Sequence, residues 1–174
     1  MPDRPASRGY RLRAATVRDL PTLTQHRIAM FAEIRRTPPR LLTLHGRQYR
    51  RWVRPLLVHR EVVAVVAERG DQAVASGCVW FQPSQPRILM PKTRTPYIMS
   101  MYTRPDHRGR GLATRIVRRL LAEARRRGYP RVTLHASDMG RGVYARLGFE
   151  STSEMRFWLD RTIERRMRLR PRRR

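Results

Sequence analysis

One stretch restricts what this chain can fold into more than any other. The nearly continuous apolar run Tyr97–Thr103 (YIMSMYT) passes through Arg104-Pro105-Asp106-His107-Arg108-Gly109-Arg110-Gly111 into a periodic segment ending at Arg127. The run reads as a strand buried on both faces. After it, Leu112, Ala113, Ile116, Val117, Leu120, Leu121 and Ala124 share one stripe at helical spacing, while Arg115, Arg118, Arg119, Arg125 and Arg126 take the other face. This is an amphipathic helix over Gly111–Arg127, closed by Gly128. A strand-to-helix turn with glycines at alternate positions lets backbone N–H groups converge with no Cβ in the way. The helix N-terminus adds unpaired donors and about half a positive charge. Such a turn is a cradle for an anion, and Arg108 and Arg110 beside it add side-chain donors suited to a diphosphate. The same turn can also exist with no ligand, so the flanking segments must decide.

Around this unit the chain alternates helical and extended patterns. Tyr10 to Ala14 suits a first strand. Thr16, with Asp19 three residues later, opens a helix that carries Leu20, Leu23, Ile28 and Phe31 and ends before Thr37-Pro38-Pro39. Arg40 to Val58 is a second helical stretch, expected to be interrupted at Pro55. Val62–Glu68 and Ala73–Phe81 form a hairpin around Arg69-Gly70-Asp71. Gln82 to Pro96 holds four prolines and reads as a long loop over a site mouth. Beyond the main helix come a strand at Arg131–Ala136, a short helix at Arg141–Leu147 stopped by Gly148, and a last strand or hairpin over Phe149–Leu159. This order implies an α/β (α+β) domain: a mixed sheet with helices on its faces.

Composition bounds the remainder. The 174 residues fit one domain over 10–160, with a flexible N-terminus at 1–9 and a basic tail at 161–174. With 39 Lys+Arg against 13 Asp+Glu the net charge is +26, and Lys92 is the only lysine. Such a charge attracts polyanions, whether nucleic acid, an anionic small molecule or an acidic protein surface. A single cysteine, Cys78, excludes a disulfide framework and any cysteine-based zinc site; it sits mid-strand and reads as core. The five histidines show no paired ligand spacing, so no metal is expected. The longest unbroken apolar run, Val62 to Ala67, falls far short of the roughly 18 residues of a membrane span. A cytoplasmic protein with no membrane partner is the expectation.

The turn matches neither G-x-G-x-x-G, because Thr114 stands in the third glycine's place, nor a Walker A loop. Arg108-Gly109-Arg110-Gly111-Leu112-Ala113 instead resembles the [Q/R]-x-x-G-x-[G/A] acetyl-CoA loop of the GNAT (GCN5-related) N-acetyltransferase superfamily. Val143-Tyr144-Ala145-Arg146-Leu147-Gly148-Phe149 is similar to that family's Y-x-x-x-G-F segment, and Val132–Ser137 falls where its splayed neighbouring strand is expected. The resemblance covers roughly Val62 to Leu159. It implies a mixed, mostly antiparallel sheet with helices on both faces and a splayed central strand pair.

The resemblance also implies acetyl-CoA as cosubstrate and direct acetyl transfer to an amine. Met101, Tyr102 and Thr103 would pair with the pantetheine arm through backbone groups, and Arg108, Gly109, Arg110, Gly111, Leu112, Ala113 and Thr114 would hold the diphosphate. Tyr144 would protonate the leaving thiolate. Where many relatives carry Asn, this chain has Ser137, whose hydroxyl can still bond the cofactor arm. No glutamate stands on the strand Val132–Ala136, which leaves the general base open among Glu33, His135 and Glu154. Each of these also has a structural reading, as a surface ion-pair member or a strand histidine. A small-molecule amine is the default acceptor. The charge keeps two alternatives: an amine on a polyanionic carrier such as aminoacyl-tRNA, and a non-catalytic module that binds RNA or DNA. Homodimers are frequent in the resembled family, although the charge opposes close approach of two copies.

Overall fold

The computed structural model describes residues 9–35, 37–88, 91–155 and 159–160. The N-terminal residues 1–8 and the basic tail at 161–174 lie outside them. Five strands, β1 (Tyr10–Ala14), β2 (Val62–Arg69), β3 (Gln72–Pro83), β4 (Arg94–Thr103) and β5 (Thr133–Leu134), form one sheet in the order β1-β2-β3-β4-β5. Every neighbouring pair is antiparallel except β4 and β5, which run parallel. The helices are α1 (Leu20–Arg35), α2 (Pro39–Val58), α3 (Leu112–Arg126) and α4 (Asp138–Ala145).

Both sheet faces are covered, and the strand period shows it. Val65, Ala67, Val79, Phe81 and Ile98 point toward Leu112, Ile116, Val117, Leu120 and Ala124 of α3. The alternate residues Val62, Ala64, Val66 and Cys78 pack on Leu20 and Leu23 of α1 and Tyr49 and Val53 of α2. Continuous apolar character in β2 is therefore what a strand between two helical layers requires. Thr16 caps a short 3-10 turn, Val17–Asp19, that leads into α1: the Thr16 hydroxyl accepts from Arg18 N–H at 3.3 Å, and Asp19 Oδ2 accepts from Thr16 N–H at 2.7 Å.

Several elements differ from the sequence expectation. Helix α2 is not interrupted at Pro55, which lies in its last turn, and His59 N–H still donates to the Pro55 carbonyl at 2.9 Å. Strand β4 starts at Arg94 rather than Tyr97, because β3 runs on to Pro83 and pairs with it there. It is not buried on both faces throughout, since most of its residues are only half-buried. The shortened loop does not cover the glycine turn. With Gly128–Arg131 it lines a surface cavity of about 390 Å³ beyond the C-terminal end of α3, and the 15 residues of α3 span about 22 Å from the glycine turn. Helix α4 begins at Asp138, not Arg141, because the Ser137 hydroxyl caps it, accepting from Gly140 N–H at 3.2 Å. Residues 149–155 form no strand, and 156–158 lie outside the described residues.

Strand β5 holds only Thr133 and Leu134, paired with Tyr97 and Ile98, instead of reaching Ala136. Further along β4 the register shifts, so that Ser76 faces Tyr102 while Cys78 faces Met99. Ser100 and Met101 thus oppose the single residue Gly77, and Ser100 takes a left-handed φ of 53°. The pairing of β4 with β5 ends at Ile98 and Leu134, two residues before this bulge.

Candidate active site

The end of β4 leads directly into the glycine turn. Beyond Ile98 the side of β4 that faces β5 has no strand partner among the described residues; of the carbonyls in Met99–Thr103, those of Met99 and Thr103 accept from the Cys78 thiol and the Arg108 guanidinium. The chain then makes one tight turn at Pro105–His107 and reaches Gly109 and Gly111, with φ of 72° and 75°. Only glycine adopts this backbone readily. Apart from its chain neighbours, no atom lies within 4 Å of where a Cβ would stand at either residue. Gly111 caps α3 without a side-chain hydrogen bond, so no side chain caps the first amides of the helix there.

Side-chain hydrogen bonds fasten this turn. Arg108 Nε donates to the Thr103 carbonyl at 3.0 Å, tying the loop to the end of β4, and its Nη2 donates to Glu33 at 2.5 Å. Glu33 also accepts from the Tyr102 hydroxyl at 3.2 Å. Arg110 donates to the Asp106 carbonyl at 3.4 Å. Beneath, buried His107 bonds the Tyr10 hydroxyl at 2.8 Å, so the turn rests on β1.

Tyr144 lies half-buried on α4 with its ring edge-on to Phe149, 5.8 Å between centroids. Burial, with Tyr97 nearby, pushes its phenol up to about 12. A Cβ on Gly140 would stand 3.0 Å from the Tyr144 ring and 3.3 Å from Ser137 Oγ. Gly140 thereby lets the two approach each other.

The base candidates fall into two groups. Glu33 sits at the turn with Arg108 and Tyr102. His135 and Glu154 are joined to each other: His135 Nε2 is 2.8 Å from Glu154 Oε1, and His135 Nδ1 is 2.5 Å from the Tyr97 hydroxyl. Glu154 lies in irregular chain, not in a final strand. Sequence reasoning missed Tyr97, which reads there as one more apolar strand residue, and it missed the bulge at Ser100. Cys78 is buried, its thiol donates toward the Met99 carbonyl at 3.4 Å, and burial raises its pKa to about 11, which leaves it inert. Among the described residues no three His, Cys, Asp or Glu side chains gather to hold a metal ion, and no helix is long and apolar enough to cross a membrane.

The model of the acetyltransferase (GNAT) family matches residues 26–149. Among solved structures, the fold superposes on a GCN5-related N-acetyltransferase from Ralstonia eutropha with a TM-score of 0.79 and 30% identity, over 87% of this chain and 99% of that one. A predicted acetyltransferase from Clostridium acetobutylicum, solved with acetyl-CoA, gives a TM-score of 0.77 and 30% identity over 87% and 94%. A glucosamine-6-phosphate N-acetyltransferase from Arabidopsis thaliana, at 16% identity and a TM-score of 0.64 over 87% and 99%, shares the fold. Among proteins of curated function, none matches the sequence.

Proposed function

Because the chain belongs to the GNAT acetyltransferase family, whose acetyl donor is acetyl-CoA, we propose that it acetylates a small-molecule amine directly, with donor and acceptor bound together. The observation that carries this reading is the direct run from the end of β4, beyond its pairing with β5, into a glycine turn with open space at both Cβ positions. The amides of residues 109–114, flanked by Arg108 and Arg110, hold the diphosphate. The backbone of Met101, Tyr102 and Thr103 pairs with the pantetheine arm as an added strand would. Ser137 Oγ accepts from its own helix, and its O–H is the donor it offers the arm. Acetyl-CoA supplies the thioester carbon on which the exchange takes place.

The roles of the side chains follow from their partners. Both Glu33 oxygens already accept hydrogen bonds, from Arg108 and Tyr102, which makes Glu33 an anchor for the turn rather than the base. His135, held by Glu154, accepts the amine proton by way of the Tyr97 hydroxyl. As the N–C bond forms and the C–S bond breaks, the sulfur leaves with the Tyr144 proton. A phenol with pKa about 12 stays protonated until a thiolate develops beside it, so position rather than acidity governs this step. Holding both reactants together provides much of the acceleration.

The test is Tyr144→Phe. Turnover with acetyl-CoA and an accepted amine falls about a hundredfold or more while acetyl-CoA affinity is unchanged. Unchanged turnover would remove the general acid. The net charge of +26 favours one other acceptor, an amine carried on RNA. Activity on aminoacyl-tRNA that collapses with salt, with none on free amines, would select it.

A further inference from the structure

Arg27 on α1 crosses to the strand that carries the bulge. Its Nη1 donates to the Ser100 hydroxyl at 2.6 Å and its Nε donates to His45 Nε2 at 3.0 Å. The rings of Tyr49 and Phe31 pack against the guanidinium carbon at 4.6 and 5.0 Å. Arg27 is half-buried, as are His45, Phe31 and Ser100, so solvent still reaches the group.

Among the described residues Arg27 has no counter-charge. Arg13 meets Asp19 and Glu68, Arg94 meets Glu61, and Arg108 meets Glu33, yet among the described residues no carboxylate lies within ion-pairing distance of Arg27. Its neighbours stay neutral. Burial and the adjacent guanidinium hold His45 below its usual range, while burial raises both the Tyr49 phenol and the Cys78 thiol. A desolvated cation without an anion is costly. Among the described residues two of its five N–H donors are used, which leaves donors on Nη1 and Nη2 for a planar, two-oxygen anion.

The position supplies the chemistry. Ser100 lies in the bulge, immediately before Met101, so an anion on Arg27 rests next to the segment proposed to pair with the pantetheine arm. We infer that Arg27 selects the acceptor, and that the acceptor is a small amine bearing a carboxylate within a few bonds of its nitrogen. This rests on the transferase reading above. The carboxylate completes the ion pair, and the same contact aims the amine at the acetyl group. Excess positive charge over the whole chain draws in such an anion from solution.

The experiment compares amino acids with their amides and their decarboxylated amines, each with acetyl-CoA, in the wild type, Arg27→Met and Arg27→Lys. The wild type is expected to favour carboxylate-bearing amines about a hundredfold in kcat/KM. Arg27→Met loses that preference, and Arg27→Lys, which keeps the charge without the fork, recovers part of it. Acetyl-CoA affinity by calorimetry stays the same in all three, which shows that the variants are folded. The inference is overturned if the wild type acetylates neutral amines equally well, if it accepts no carboxylate-bearing amine while still binding acetyl-CoA, or if Arg27→Met depresses charged and neutral acceptors alike. A wild type that does not bind acetyl-CoA at all would instead overturn the transferase reading beneath it.

Discussion

Met101 on β4 fills the place where Gly77 on β3 would carry a side chain: its thioether overlaps the position of a Cβ there, and Ile116 Cγ2 stands only 3.0 Å away. Gly77 is the residue that two β4 residues oppose. The pair therefore fixes the bulge from below, with Met101 seated in the gap that glycine leaves.

Gly77→Ala should force Met101 out of that seat and cost about 1–3 kcal/mol of stability, as overpacking does. It should also weaken acetyl-CoA binding, because the backbone of Met101 moves. Urea denaturation and calorimetry check both effects. Adding Met101→Ala restores part of the loss if the two residues are coupled, whereas strictly additive costs would show that the bulge does not depend on this contact.

Glu33 places a negative charge beside the turn proposed to hold the diphosphate. Glu33→Gln should tighten acetyl-CoA binding about two- to fivefold at low salt, the scale of an exposed ion pair, with turnover changed little. A hundredfold fall in turnover would make Glu33 the base and displace His135.

Arg13 donates to both oxygens of Asp19, at 2.6 and 2.8 Å, and holds this carboxyl below its usual range. A depressed folded-state pKa stabilises the fold above the unfolded carboxylate range, and that contribution disappears as pH falls through the folded value. Asp19→Asn should cost about 1–3 kcal/mol at neutral pH and flatten the acid side of the stability curve. Denaturant melts between about pH 3 and pH 7 measure this directly.

Tyr144, raised to about 12, stays protonated across the working range. Its ionisation should leave kcat flat between about pH 8 and pH 10. A wild-type profile that falls through this range, with the fall absent from Tyr144→Phe, would show a phenol far more acidic than its burial allows.

Local patterns carried the glycine turn, the stripe of α3 and the Tyr144 segment, because each depends on residues close in sequence. The bulge at Ser100 was hidden within YIMSMYT, where nothing marks a left-handed residue; it depends on Gly77 and Met101 meeting across strands. The same distance hid the chain from Tyr97 to His135 to Glu154, whose links span 38 and 19 residues. Glu33 was legible as an acid near the end of α1, but its partners Arg108 and Tyr102 lie 75 and 69 residues away, and they set its role.

The most direct measurement is calorimetric titration with acetyl-CoA and with acetyl-pantetheine, which keeps the thioester arm but lacks the diphosphate. If the amides around Gly109 and Gly111 hold the donor, acetyl-CoA binds at least about a hundredfold more tightly, and Gly111→Val abolishes that difference. Equal affinity for the two compounds, or a Gly111→Val variant that binds acetyl-CoA like the wild type, would contradict it.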